Sequence, residues 1–317
     1  MTQALSIEQL PLPWLQQPQQ QFRAQVNANR VSHANLVAID SALGVSTLLI
    51  EMATEVLCVQ PTPDGACHQC KSCLLLKAGS HPDLYQIHAD GQQIKVDQIR
   101  QLCTDLTQTA QQGGYRVAII YQAERLNLAA ANALLKTLEE PGENTLLILQ
   151  TDQHARLLAT IKSRCQLLAF TTPTNTEIKH WLSNHNLVPN GVKEDVTWCL
   201  SVVGGPLALA ESFTNDRYNM LLGFRNDWVQ SLQLGYLQGG LAKVSEKQIV
   251  DALNVFYLYL RQYMLKSTKT TPFIRAKITE LAGEVMQTTQ KLTMMSNINC
   301  AALCQQYVLS FRHLTLA

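Results

Sequence analysis

Charge is what this chain has little of. Charged residues make up 15% of its 317 positions, against about 25% in typical soluble domains, and partner subunits are expected to cover part of the surface. The net charge is only +1, so no global basic field marks a protein that binds nucleic acid tightly on its own. Aromatic residues reach 6%, and no stripe of aromatic and basic residues provides a stacking platform for single strands. No apolar run approaches the roughly 20 residues needed to cross a bilayer. The stretch Met1–Leu15 has no basic segment followed by an apolar core, so it does not read as a secretion signal. A cytoplasmic protein is expected, with its thiols reduced. The nine cysteines then need a role other than disulfide bonding.

What is present alternates between strand-like and helix-like segments. Short runs at Asn35–Ile39, Leu84–His88, Arg116–Tyr121, Thr145–Leu149 and Gln166–Phe170 suit strands, and Val117–Ile120 has the pattern of a buried one. Between them, Ser46–Leu57 and Val96–Gln111 suit helices, as does the stretch carrying Leu128, Ala131, Leu135 and Leu138 at helical spacing. Strands alternating with helices imply a parallel sheet covered on both faces. After Thr171-Thr-Pro173 the strands stop. Ile178–Leu187, Lys193–Val202 and Pro206–Phe213 suit three short helices. Beyond residue 214, stripes such as Ile249, Leu253, Phe256 and Leu260, or Ile274, Ile278, Leu281 and Val285, suit a helical bundle. The expected organisation is an α/β domain over residues 1–168 with a metal module at 58–73. A small helical domain at 169–213 and a C-terminal helical domain at 214–317 follow.

Four cysteines, Cys58, Cys67, Cys70 and Cys73, are spaced C-x8-C-x2-C-x2-C. Such spacing lets thiolates converge on one ion and complete a tetrahedron around zinc, with no position left for water, so a structural site is expected. His68 lies inside this knuckle as a substitute ligand that four sulfurs do not require. Cys103, Cys165, Cys199, Cys300 and Cys304 read as core thiols.

A phosphate loop would sit between the first strand and the first helix, with glycines for close approach, a lysine for the phosphates and a hydroxyl for magnesium. The segment here is Ile39-Asp-Ser-Ala-Leu-Gly-Val-Ser46. Gly44 and Ser46 fit that pattern, but Ile39 replaces the first glycine and Val45 the lysine. The strand at 117–120 runs into Tyr121-Gln122 rather than into magnesium-holding acids. Glu124 and Asp152 are near in sequence but not at the tip of that strand, and Glu124 reads as a solvated residue opening the next helix.

Two stretches, Asn132-Ala-Leu-Leu-Lys-Thr-Leu-Glu-Glu-Pro141 and Leu158-Ala-Thr-Ile-Lys-Ser-Arg-Cys165, resemble signatures of the bacterial clamp-loader ATPases, a branch of the AAA+ proteins. The cysteine knuckle has that family's spacing and place. Pro13-Trp-Leu15, Ser80-His-Pro-Asp83 and Val96-Asp97 with Ile99-Arg100 add to the likeness, which covers about residues 13 to 207. Thr151 falls at the family's sensor position, and Leu207 stands where an active enzyme has arginine. The resemblance implies a non-hydrolysing subunit of the DNA polymerase III clamp loader that helps load the sliding clamp on primed DNA. Its partners would be ATPase subunits and a delta subunit in a hetero-pentamer, with the sliding clamp and primer-template DNA reached through the assembly. Arg164 would be an arginine finger serving a neighbour's ATP, zinc would be structural, and this chain would bind no ATP productively. An ATPase with an aberrant loop and a zinc-bearing nucleic-acid binder are the alternatives. Lys136 and Glu140 are placed to pair at i, i+4, and a structural role is expected for His33. Arg100, Arg125 and Lys136 are candidates for DNA contact by charge alone.

Overall fold

The computed structural model describes residues 10–189, 195–266, 271–292 and 298–316. The chain divides into two compact units, Met1–Glu177 and Ile178–Ala317. The first nine residues of the Met1–Leu15 stretch and the first two of the helix expected at Lys193–Val202 lie outside the described residues.

The first unit is built on five parallel strands: β1 (Ala34–Val37), β2 (Leu84–Ile87), β3 (Arg116–Ile120), β4 (Thr145–Gln150) and β5 (Gln166–Leu167). Their order in the sheet is β2-β3-β4-β1-β5. Leu36 of β1 pairs with Leu149 of β4, and Ala118 of β3 with Leu147 of β4. All residues of β1, β3 and β4 are buried, as continuous apolar strands covered on both faces must be. Each fully buried Ile or Leu among them contributes about 1.5–3 kcal/mol of burial.

The helices of this unit are α1 (Gln16–Asn27), α2 (Val45–Leu57), α3 (Lys71–Lys77), α4 (Val96–Thr107), α5 (Leu128–Glu139) and α6 (Ala159–Lys162). Two differ from expectation. Helix α4 stops at Thr107 rather than at Gln111, because buried Asp83 accepts hydrogen bonds from the amides of Gln111 and Gln112 at 2.7 and 2.9 Å. Arg116 closes the freed helix end by donating to the carbonyls of Leu106 and Gln108. Helix α5 is capped by Asn127, whose side chain accepts from the Ala130 amide at 2.8 Å. Its buried stripe is Ala130, Ala131, Leu134 and Leu138, while Leu128, expected to face the core, is 67% exposed.

Among its described residues the second unit has helices, turns and loops and no strand. The segment at 175–184 (α7, Asn175–Asn184) leads into it, followed by α8 (Leu200–Val203), α9 (Pro206–Thr214), α10 (Arg217–Leu234), α11 (Ile249–Lys266), α12 (Pro272–Leu292) and α13 (Cys300–Leu316). A 3₁₀ turn at Val196–Cys199 and α8 stand where one helix was expected at Lys193–Val202. The stripe Ile249, Leu253, Phe256 and Leu260 is buried as its spacing requires, with Trp228 stacked on Phe256 at 4.3 Å between ring centres. No helix among the described residues is long and apolar enough to cross a membrane.

Candidate functional site

In a sheet of this order the chain leaves β1 toward one edge and β4 toward the other. The crevice at the carboxyl ends of these two strands is where such folds bind ligands. Here it is filled by the chain's own side chains. The Asp152 carboxylate accepts from the Ser41 amide at 2.7 Å and its hydroxyl at 3.0 Å. The same carboxylate accepts from the side-chain amides of Gln122 and Gln150, both at 2.8 Å. Gln150 also donates to the Ile39 carbonyl and accepts from the Gln122 amide, each at 2.8 Å. Burial alone would raise the Asp152 pKa, but the bonds from Gln122, Ser41 and Gln150 outweigh it and hold the carboxyl below its ordinary value.

The degenerate phosphate loop is closed in the same way. Residues Ser41–Leu43 form a 3₁₀ turn ended by Gly44 at φ 76°, a left-handed conformation that suits glycine. Every backbone amide from Ser41 to Gly44 already has an acceptor. Ser41 uses Asp152, Ala42 the Asp40 carboxylate, Leu43 the Asp40 carbonyl and Gly44 the Ser41 carbonyl. Val45 begins α2 with its side chain buried, and the Trp14 indole donates to the Leu43 carbonyl at 2.8 Å. At the tip of β3, Tyr121 stacks on His88 and donates to the Gln86 side chain.

Two readings of this region are corrected. Glu124 is not simply solvated, because it accepts a 2.7 Å hydrogen bond from buried Thr151, the residue at the sensor position. Asp152, expected away from the tip of the strand at 117–120, bonds Gln122 just past that tip and sits among the residues that follow β1, β3 and β4. Its partners Ser41 and Gln122 are 111 and 30 residues away, so local pattern held no signal for it.

The cysteine cluster follows α2. The four thiol sulfurs all lie within 4.8 Å of one another. Cys58 is 3.6 Å from Cys67 and 3.9 Å from Cys70, sulfur to sulfur. A tetrahedron with metal–sulfur bonds of about 2.3 Å has edges of about 3.8 Å, so these sulfurs fit a thiolate-bound ion. Burial pushes the thiols of Cys58 and Cys73 up. The amides of Gln69 and Cys70 pull Cys67 down, and against the effect of burial the amides of Cys73 and Val59 draw Cys70 down to about 6. His68 is turned to Glu51 at 3.4 Å and is outside the cluster.

The knuckle is tied to its surroundings. A tight turn pairs Thr62 with Gly65, and a Cβ on Gly65 would lie 2.8 Å from the Arg23 guanidinium of α1. Arg23 in turn pairs with buried Glu55 at 2.6 Å. The Ser72 hydroxyl donates to the Leu57 carbonyl and receives the Nε2 proton of His81, each at 2.6 Å, while His81 Nδ1 accepts from the Asp83 amide at 3.1 Å. The constellation of Ser72, His81 and Asp83 is therefore a brace. With its acceptor nitrogen taken by an amide, the imidazole cannot draw a proton from the serine.

Arg164 follows α6 and is 34% exposed at its side chain. Its Nε donates to Glu139 at 2.8 Å and its Nη1 to the Thr160 carbonyl at 3.0 Å. Among the described residues no ion pair joins Lys136 and Glu140. The acid of α5 that finds a cation is Glu139. Cys165 packs against the core of the sheet, and burial raises its thiol to about 11, which suits packing and not nucleophilic attack. His33 bonds the Leu138 carbonyl at 2.9 Å, a structural contact. Leu207 lies in the first turn of α9 in the second unit. The remaining cysteines Cys199, Cys300 and Cys304 are buried, and Cys103 is partly so.

Strand order, crevice and loop together define a parallel α/β protein whose loop after β1 is closed by hydrogen bonds from within the chain. A solved gamma subunit-related protein of DNA polymerase III from Thermotoga maritima has a similar fold. Its TM-score is 0.50 at 17% identity, over 93% of this chain and 99% of that one. The family described as "DNA polymerase III, delta subunit" matches residues 14–174. Proteins named DNA polymerase III subunit delta' are similar in sequence. The Haemophilus influenzae one is 41% identical over 222 residues, covering 68% of this chain and 66% of its own length. Those of Pseudomonas aeruginosa and Escherichia coli K12 are 40% and 37% identical, over 53% and 52% of their lengths. This chain belongs to that DNA polymerase III family. The matched stretch spans about half to two thirds of the relatives' length.

Proposed function

We propose that this chain is a non-hydrolysing subunit of a bacterial DNA polymerase III clamp loader, working in the cytoplasm beside ATPase subunits and a delta subunit in a hetero-pentamer. It helps place the sliding clamp on primer-template DNA. Residues 1–168 are its AAA+ domain, 169–213 a lid and 214–317 a collar that holds the ring together. The observation that carries the reading is the closed loop. The amides of Ser41 to Gly44 have acceptors within the chain, and the Asp152 charge lies where nucleotide phosphates would need positive surroundings. Val45 supplies no cation. An ATPase with an aberrant loop would have to break this network before binding phosphate, so the non-hydrolysing reading is preferred.

Arg164 is then the chain's contribution to chemistry, a planar and permanently charged group offered to a neighbour's ATP. Cys58, Cys67, Cys70 and Cys73 hold a structural zinc, whose four sulfur ligands leave no open position for a substrate.

The test reconstitutes the loader with and without this chain and measures DNA-stimulated ATPase. With Arg164→Ala, assembly by gel filtration stays intact and turnover falls at least about ten-fold. The isolated chain neither binds nor hydrolyses ATP appreciably. Clear turnover by the isolated chain, or full loader activity with Arg164→Ala, overturns the corresponding part of the reading.

A further inference from the structure

Arg164 is held before any neighbour is present. Its Nε donates to Glu139 Oε1 at 2.8 Å, and Nη2 lies 2.5 Å from the same oxygen. Nη1 donates to the Thr160 carbonyl at 3.0 Å and lies 3.3 Å from the Ser163 hydroxyl. A guanidinium has five N–H groups in one plane. Glu139 takes the Nε–Nη2 edge, and Thr160 and Ser163 take Nη1, which leaves one N–H of Nη2 uncommitted.

This arrangement differs from an ordinary surface ion pair in two ways. Glu139 is the last residue of α5 and Arg164 follows α6, so the contact joins separate elements 25 residues apart. The arginine also makes a backbone contact that fixes its plane. A long side chain tethered at all three nitrogens has little rotamer freedom left to lose when it meets a phosphate, and preorganisation of this kind lowers a transition state without changing ground-state binding.

Resting on the reading of Arg164 as a finger supplied in trans, we infer that Glu139 is the positioning residue that aims it. Glu139 touches no reacting atom. It fixes the plane of the guanidinium and so the direction of the one N–H left on Nη2. The opposite possibility, that Glu139 parks the arginine and must release it, gives the opposite sign when the acid is removed.

The experiment uses the reconstituted loader containing the full chain and measures kcat and KM for ATP in DNA-stimulated hydrolysis. The variants are Glu139→Ala, Glu139→Gln, Arg164→Ala and the double substitution Glu139→Ala with Arg164→Ala. Glu139 is 50% exposed at a helix end, so folding tolerates its loss, and gel filtration checks assembly of each variant. Glu139→Ala lowers kcat about ten-fold with KM within about two-fold, because the lost contact acts on the transition state. Glu139→Gln, which keeps an oxygen acceptor without the charge, falls between Glu139→Ala and the parent. The double variant matches Arg164→Ala alone, since a positioning residue has nothing left to position. The inference is overturned if Glu139→Ala leaves kcat unchanged, raises it, or lowers it further in the Arg164→Ala background. If Arg164→Ala itself is silent, the finger reading has failed, an outcome distinct from a silent Glu139→Ala beside a damaging Arg164→Ala.

Discussion

Removing the Asp152 carboxylate should loosen the end of the sheet where a nucleotide would otherwise bind. Four donors converge on it: the Ser41 amide, the Ser41 hydroxyl and the side chains of Gln122 and Gln150. Gln150 is 1% exposed, whereas Ser41 is exposed and Gln122 half-buried, so in Asp152→Ala some donors regain water and others do not. At about 0.5–1.5 kcal/mol for each net bond, and less for the wetter ones, the loss is about 2–4 kcal/mol. For a unit of this size that corresponds to about 4–12 °C in Tm. Asp152→Asn should cost about half as much, because its oxygen still accepts from the Ser41 amide and Gln150, and the Ser41 hydroxyl can turn to accept. The folded pKa of Asp152 lies below its unfolded value, so its contribution is complete above about pH 4 and is lost as the pH falls through the depressed folded value. The gap between parent and Asp152→Ala should therefore be constant from pH 8 to pH 5. Urea titration at both pH values measures it, and hydrogen exchange reads the Ser41 amide directly. If both variants stay within about 0.5 kcal/mol of the parent, or the gap widens toward pH 5, the carboxylate is not what closes the loop.

Three further outcomes are expected. Metal analysis of the purified chain gives about one zinc ion, Cys70→Ala gives none, and chelation exposes four additional reactive thiols while lowering stability; a chain that purifies without metal removes the zinc site. Asp83→Ala removes the buried carboxylate that caps the turn at Gln111 and Gln112 and costs about 2–4 kcal/mol by urea unfolding; an unchanged midpoint would show that the turn holds without it. Burial lowers the His81 pKa, partly opposed by Asp83. Its contribution is therefore full above about pH 6.5 and declines as the pH falls toward the lower folded value, so His81→Asn should flatten stability between pH 7 and pH 5.5, and an unaltered slope would assign that pH dependence elsewhere.

Much of this protein is legible one segment at a time. The strands at Ala34, Arg116 and Thr145 are runs of apolar residues long enough to name themselves. The cysteine knuckle is legible for a similar reason, since three of its ligands fall within seven residues and chain connectivity alone brings them together. Leu128 misled because its spacing suited the core stripe while the Asn127 cap and the Ala130–Ala131 pair set the helix at another angle. The end of α4 was missed because Asp83, more than twenty residues away, takes the amides that would have extended it.

The sequence by itself determined the alternating α/β plan, the four-sulfur cluster and the absence of a phosphate lysine at Val45, each a matter of residue type at short spacing. Only the tertiary structure decided what replaced the missing parts. The parallel sheet sets the carboxyl ends of β1, β3 and β4 side by side, and that puts Asp152 on the Ser41 amide across 111 residues. The same packing lays the end of α5 against the turn after α6 and gives Arg164 its acid in Glu139. A carboxylate acts through distance and direction, and the fold supplies both only after residues far apart in the chain have been brought together.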